Sequence, residues 1–284
     1  MFKSQNNGQH VQESSEVYTA SKIEELKAAI GSLCGRSLKY CSDGCLKGYL
    51  EVNNWNVKKA KKMLEHTLEW RTTYKPEEIR WHEVANEGER GIIYRASFHD
   101  RLGRTVLIFR AGAAIQKISS VENMIRFSVY LLENAVLNFP QGQEQMAWLI
   151  DFTGWSFTKS MPIRLSREFI NVMQNHYPDR LAIAFLYNPP LAFEAFFKII
   201  KYFLDNKTLE KARFVYPRDK ESVDLMKSYF DEENLPVEFG GKATMKYDHE
   251  EFSRLMTQDD LKSAAFWGTE DSLSSHVGAG QLSA

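Results

Sequence analysis

Between residues 191 and 204 the chain carries a stretch that reads as a helix with almost no polar surface. Its polar residues are Glu194, Lys198 and Lys201, with Asp205 just past the end, spaced by four, three and four. That spacing confines them to one narrow stripe. The rest of the circumference is Leu191, Phe193, Phe196, Phe197, Ile199, Ile200, Tyr202 and Phe203. A helix this apolar is either packed against protein nearly all round, as a core helix of an α/β domain, or it covers something oily that is not protein. Asn188 supplies a candidate N-cap and Pro190 a first-turn residue. An apolar strand from Leu181 to Leu186 precedes the helix, and a further strand begins near Ala212.

The chain around this stretch divides by pattern. Residues 1–20 and most of 258–284 are Ser, Gln, Gly and Asn rich without a period, which predicts disordered tails. From 21 to 80 the pattern is helical. Its clearest case follows Asn56 as a candidate cap, with Ala60, Met63, Leu64, Thr67, Leu68 and Arg71 recurring at helical spacing until Pro76 ends the segment. From 81 to 257 strands alternate with helices. Ile92–Phe98 and Arg104–Phe109 flank a hairpin loop, His99 to Gly103, and Ala147–Phe152 is a buried strand. Helices are expected at 121–138, 164–176, 221–230 and, as a short one, 250–256. This order predicts an α/β fold with a mixed, largely parallel sheet covered by helices on at least one face.

Composition excludes several classes. Lys and Arg total 36 against 37 acidic residues, so no overall charge favours nucleic acid. The cluster Lys58, Lys59, Lys61 and Lys62 reads as the solvated face of an amphipathic helix. Cys34, Cys41 and Cys45 lack a convincing fourth ligand for zinc, so three buried thiols in a reducing, cytoplasmic setting are expected. No apolar run approaches the roughly 20 residues that span a bilayer, and no signal core or lipidation site is visible, so membrane contact is expected to be peripheral and transient. The dinucleotide G-x-G-x-x-G, the phosphate-binding G-x-x-x-x-G-K-[ST] and the G-x-S-x-G elbow are all missing. His66, His82, His99, His176 and His249 are scattered, with no visible nucleophile or metal partner. The expectation is no catalytic residues, no metal and no cofactor.

Several motifs in order carry a resemblance. Cys41-Ser42-Asp43 and Trp70-Arg71 in the helical unit, Asp100 to Arg104, Ile150-Asp151-Phe152-Thr153-Gly154, Tyr177-Pro178-Asp179-Arg180, and Leu235-Pro236 through Gly240-Gly241 together resemble the CRAL-TRIO lipid-binding family, in its yeast-type secretory phosphatidylinositol/phosphatidylcholine transfer branch. The resemblance implies a small all-helical N-terminal lobe at 21–80 and a lipid-binding domain at 81–257, whose sheet floors an apolar pocket closed by a gating helix. It places the gate at Leu191–Leu204, with Phe193, Phe196, Phe197, Ile200 and Phe203 against acyl chains. It implies that Asp179, Thr208 and Lys211 contact an inositol-lipid headgroup and that Ser156 and Thr158 contact a choline-lipid phosphate. Ordinary turn bonding for Ser156 and Thr158, helix capping by Thr208, and pairing of Asp179 with Arg180 stay open as structural readings. Asn53 and Asn54 stand where inositol-lipid binders carry a basic pair, which leaves the cargo open. The implied function is binding of one phospholipid and its exchange between membranes by a monomer with no nucleic-acid partner. The alternatives are a module that presents lipid to a kinase or other partner, a carrier of another hydrophobic ligand, and an unrecognised hydrolase or transferase.

Overall fold

The computed structural model describes residues 5–112 and 120–268. Four helices come first: α1 (Gln5–Ile30), α2 (Gly35–Tyr40), α3 (Asp43–Val52) and α4 (Val57–Tyr74). Ile23 and Leu26 of α1 pack with Leu46, Tyr49 and Leu50 of α3 and Ala60 and Leu64 of α4 to form a core of their own. Asn56 caps α4 as expected, its side chain accepting from the Lys59 amide at 3.0 Å. Lys75, in the left-handed region, turns the chain into Pro76.

After α5 (Trp81–Gly88) come β1 (Ile93–His99), β2 (Thr105–Arg110), α6 (Val121–Leu137), β3 (Met146–Asp151), α7 (Ile163–His176), β4 (Leu181–Tyr187), α8 (Phe193–Ile200), α9 (Asn206–Glu210), β5 (Ala212–Val215), α10 (Lys220–Tyr229) and α11 (His249–Trp267). The five strands lie in sequence order, β1-β2-β3-β4-β5. The first pair is an antiparallel hairpin and the others are parallel, so the expected mixed, largely parallel sheet is what forms. Asp100 sets the hairpin loop, its carboxylate accepting from the amides of Leu102 and Arg104 and from the Arg104 guanidinium.

Adding strands always to the same side, with right-handed crossovers, puts α6, α7 and α8 on one face of the sheet. That face presents Leu107 and Phe109, Trp148 and Ile150, Ala184 and Leu186. The opposite face presents Ile108, Leu149, Ile183 and Phe185, and α10 with the segment after it covers these. Phe185 meets the rings of Tyr229 and Phe230 at 5.1 and 5.4 Å, and Tyr187 meets Phe239 at 5.3 Å.

Several expectations change. Helix α1 begins at Gln5, so residues 5–20 are helical rather than a disordered tail, and Tyr18 packs edge-on against Trp55 at 5.6 Å. The helix expected at 250–256 continues to Trp267, so 258–267 is likewise ordered. Its buried face looked polar because it carries carboxylates: Asp259 accepts from Arg95, Asn134 and Asn138, and Asp260 from the Trp81 amide and the Tyr130 hydroxyl. The remainder of both expected tails, 1–4 and 269–284, lies outside the described residues. Cys41 and Cys45 are buried but Cys34 is exposed.

Helix α8 is shorter than its apolar pattern. Its α-helical part is Phe193–Ile200, and the residues to Leu204 continue in tighter turns, with the amides of Tyr202, Phe203 and Leu204 donating to carbonyls three residues back. Asn188 does not cap it. Asn188 sits at φ 51°, its amide side chain donates to Thr153 Oγ1, and the N-cap position is Ala192, without a side-chain bond. The two prolines hold Asn188 too far upstream to reach the first free amides.

Candidate lipid-binding site

Between the sheet and helices α6, α7 and α8 lies a cavity of about 210 Å³. Its walls are apolar apart from Ser128, Ser166 and Thr208. Helix α8 runs back across the sheet from the ends of β3 and β4. Phe193 and Phe196 are buried, and these two with Phe197, Ile200 and Leu204 line the cavity. Phe193 packs on Phe152 at 4.1 Å and on Trp155 at 5.4 Å. Phe203 does not line the cavity, because the tightened turns leave α-helical periodicity and Leu204 reaches it instead; the Phe203 ring lies 6.0 Å from the Arg167 guanidinium.

The outer side of the same helix is exposed and still apolar. Leu191 is 87% exposed and Tyr202 84%, with Ile199 also exposed beside Lys198 and Lys201. Phe157 and Phe214 lie exposed on flanking segments, Phe214 touching Phe197 at 5.2 Å. Among the described residues Glu194, Lys198 and Lys201 make no ion pair. Apolar contact therefore holds α8 down along its length, contact that an acyl chain or a bilayer can replace at little cost. Gln174 of α7 holds the turn after it, donating to the Phe203 carbonyl and accepting from the Asp205 amide.

At the N-terminal ends of the parallel strands the cavity adjoins a polar cleft of about 770 Å³. Trp148, Phe169, Ile170, Leu181, Leu204 and Thr208 border both spaces. Three expected headgroup residues meet in this cleft: Asp179, Thr208 and Lys211. Asp179 precedes β4 at φ 57°, a conformation Asp tolerates better than most residues. Lys211 precedes β5, and its Nζ donates to Asp179 Oδ1 at 2.9 Å and to the Leu181 carbonyl at 2.5 Å. The partner of Asp179 is thus Lys211, joined by Gln145 at 2.9 Å, while Arg180 pairs with Glu144. Thr208 does not cap α9; Asp205 does, accepting from the Thr208 amide and hydroxyl. Gly48 allows α3 to approach this turn, since a Cβ there would meet the Pro178 carbonyl at 2.9 Å.

Asn53 also lines the cleft. It ends α3, its side chain donating to the Tyr49 carbonyl, and Asn54 follows at φ 52°. Ser156 and Thr158 lie elsewhere, in the loop beyond the C-terminal end of β3. Their hydroxyls are 3.0 Å apart and border neither space, though neighbouring Trp155 lines the apolar one. The residues expected to contact headgroups therefore occupy opposite ends of the cavity.

Behind α6 and α7 a buried polar network ties the helical lobe on. Arg71 of α4 makes a bidentate pair with Glu133 of α6 at 2.8 and 2.9 Å and reaches Glu77 at 3.1 Å; the Tyr177 hydroxyl donates to Glu133 at 2.6 Å. Burial pushes Glu133 up, but the Arg71 charge and the hydrogen bonds from Arg71 and Tyr177 outweigh it and hold the carboxyl below its ordinary value. His176 stacks on Trp70 at 4.1 Å and shares a hydrogen bond with Thr67. Burial, then the His66 ring and the Arg71 charge, lower His176 to about 4. Glu133, Gln145, Trp148 and Trp155 carry no signal of their own in the sequence, and Thr67, Trp70, Arg71, His176 and Tyr177 stand there without a visible partner. Alternation along β3 puts Trp148 on the cavity face with Ile150.

The chain matches the CRAL/TRIO domain over residues 89–241, and it belongs to that family. A CRAL-TRIO domain-containing protein of Schizosaccharomyces pombe is 32% identical over 208 residues, 73% of this chain and 20% of that protein. Phosphatidylinositol transfer protein PDR17 of Saccharomyces cerevisiae is 32% identical over 241 residues, 80% of this chain and 66% of that one. SEC14 cytosolic factor of Candida glabrata is 29% identical over 219 residues, 71% of each chain. The chain thus spans from a fifth to about two thirds of the length of the first two relatives. The crystal structure of Sfh5 has the same fold, with TM-score 0.63 over 95% of this chain and 100% of that one at 18% identity. Among the described residues no helix is long and apolar enough to cross a membrane.

Proposed function

We propose that this protein takes up one phospholipid, of the phosphatidylinositol or phosphatidylcholine type, and exchanges it between membranes. The observation that carries this reading is an apolar cavity under α8 that shares six lining residues with a cleft holding Asp179, Thr208 and Lys211. The acyl chains occupy the cavity and the headgroup the cleft. The name and similarity of the Saccharomyces cerevisiae phosphatidylinositol transfer protein PDR17 support the same reading.

The energetics favour a carrier with a movable cover. Exposing about 30 methylenes of two acyl chains to water costs over roughly 20 kcal/mol. Transfer from bilayer to an apolar cavity is close to neutral, so the lipid must pass without crossing water. The exposed Leu191, Ile199 and Tyr202 beside Lys198 and Lys201 give α8 an outer surface suited to an anionic bilayer. In this reading α8 swings outward on the membrane, one lipid exchanges, and the helix closes. The protein acts as a monomer by binding rather than by catalysis, in the cytoplasm and transiently at membrane surfaces.

The test is lipid exchange between donor and acceptor vesicles by the purified chain, with native mass spectrometry of co-purifying lipid. Exchange well above the protein-free rate, with one lipid per chain, is expected. Failure to bind or move any lipid would sink the reading.

A further inference from the structure

Trp148 stands where the apolar cavity meets the polar cleft and borders both. Its ring stacks on Phe169 of α7, centroids 5.5 Å apart. Its indole Nε1 is shut off from solvent and has no hydrogen-bond acceptor among the described residues. An indole N–H is a donor only, and a buried one ordinarily has a partner. Burying it without one is unfavourable, and phenylalanine would keep the stacking without that penalty.

The other buried side-chain atoms without partners differ from this one. Arg95, Arg104, Arg110 and Asn134 each bond through another atom, to Asp259, Asp100, Glu238 and Asp259 respectively. Thr105 borders neither space. Trp148 has a single polar atom, and that atom is unused. The backbone beside it is also irregular. The β3–β4 register slips between Met146 and Ala147, leaving Ala182 as an extra residue between the Met146–Leu181 and Ala147–Ile183 pairs, one pair before Trp148, and such bulges re-aim side chains near binding sites.

We infer that the Trp148 N–H is reserved for an oxygen of the bound ligand, the acyl-ester carbonyl of a glycerolipid. The inference rests on the lipid reading of the cavity. With chains in the apolar space and the headgroup beside Asp179 and Lys211, the ester linkages fall at the neck between the two. Thr208, the hydroxyl at that neck, already donates to Asp205, so Trp148 is the donor with nothing else to serve. The residue then discriminates linkage: diacyl lipids satisfy it and dialkyl ether lipids of the same headgroup leave it unpaired.

The experiment loads the full chain from vesicles containing equal diacyl and dialkyl phosphatidylinositol, the lipid whose headgroup is assigned to the Asp179 and Lys211 end, and reads the bound ratio by native mass spectrometry. The native protein is expected to favour the diacyl lipid by about three- to tenfold, the worth of one neutral hydrogen bond in an apolar site. Trp148→Phe is expected to bring the ratio close to one. Because the ratio is read within one protein sample, a general loss of affinity does not imitate this result. A semisynthetic chain with benzothienylalanine at position 148, which keeps the shape and lacks the N–H, gives the same readout if the phenylalanine variant folds poorly. An unchanged ratio in the variants overturns the assignment, as does equal weakening of both lipids, which would place the acceptor on the phosphate. Binding of neither lipid by the native chain overturns the lipid reading itself, a result distinguishable from the other two.

Discussion

The two faces of the sheet are built from the same kinds of residue and come to opposite ends. Ile108, Leu149 and Phe185 on one face are closed over by Tyr229, Phe230 and Phe239, whose rings fill the space. Leu107, Phe109, Ile150 and Leu186 on the other face look into a cavity bridged by α8. The apolar pattern of the strands does not set the difference. It lies in how the covering element is held: α10 by its own packed aromatics, α8 by contacts that a lipid can replace. The hollow face also has a rigid backing, since α6 and α7 are tied to the helical lobe through Arg71, Glu133 and Tyr177. A cavity beside a tight core requires such support, because apolar contact alone would let the walls collapse inward.

The contrast breaks most sharply by truncating one residue on each face. Phe185 is fully buried, and Phe185→Ala is expected to cost about 3–5 kcal/mol in urea unfolding, the usual range for an aromatic removed from a packed core. Ile150 borders existing space, so Ile150→Ala is expected to cost about 2 kcal/mol, the low end of the range for an aliphatic side chain cut to alanine. Ile150→Trp should fill the cavity, leave stability within about 1 kcal/mol and lower lipid retention at least about tenfold. Equal losses for the two alanine variants would show that the faces are packed alike.

The polar backing behind the hollow face gives a pH dependence that apolar packing does not. His176 titrates near 6.5 when unfolded and at about 4 when folded. The folded state therefore binds fewer protons across that window. Stability is fully present above pH 6.5 and falls as pH drops toward 4, by up to roughly 3 kcal/mol from this group, with no further loss from it below. His176→Phe keeps a ring against Trp70 and removes the titration. The difference between the native and variant unfolding energies should narrow as pH falls through that window, and parallel profiles would exclude His176 as the source.

Much of this architecture is legible in the residues. Asn56, Pro76 and the Asp100 to Gly103 loop mark their boundaries through local chemistry, and strand and helix order gives the sheet. Two of the failures share one cause, that burial by polar groups does not register as a hydrophobic period. Helix α11 looked polar because Asp259 and Asp260 are its inward face, and the Arg71, Glu133 and His176 network is invisible until α4, α6 and α7 are brought together. The site was half legible. Asp179 and Lys211, 32 positions apart, meet because β4 and β5 are neighbours. Ser156 and Thr158 fall at the far end because they follow β3 instead of preceding a strand. Nothing in the sequence marks Trp148 as unpartnered, since that is a property of what surrounds it.

The smallest effect separates the two ends of the hollow face. At the cleft, Lys211 is held by Asp179 and the Leu181 carbonyl, both of which a lipid phosphate would replace as acceptors. Because the lysine is already paired, binding exchanges one ionic contact for another, and the net gain is no more than one charge-assisted hydrogen bond. Lys211→Ala is therefore expected to reduce phosphatidylinositol transfer about tenfold. If phosphatidylcholine places its phosphate near Ser156 and Thr158 instead, at the other end of the cavity, its transfer should stay within about twofold in the same variant. Vesicle exchange with both lipids in one mixture gives the ratio directly. A change in that ratio assigns the headgroups to opposite ends, whereas equal loss of both would put every phosphate beside Lys211 and leave the paired hydroxyls as turn bonding alone.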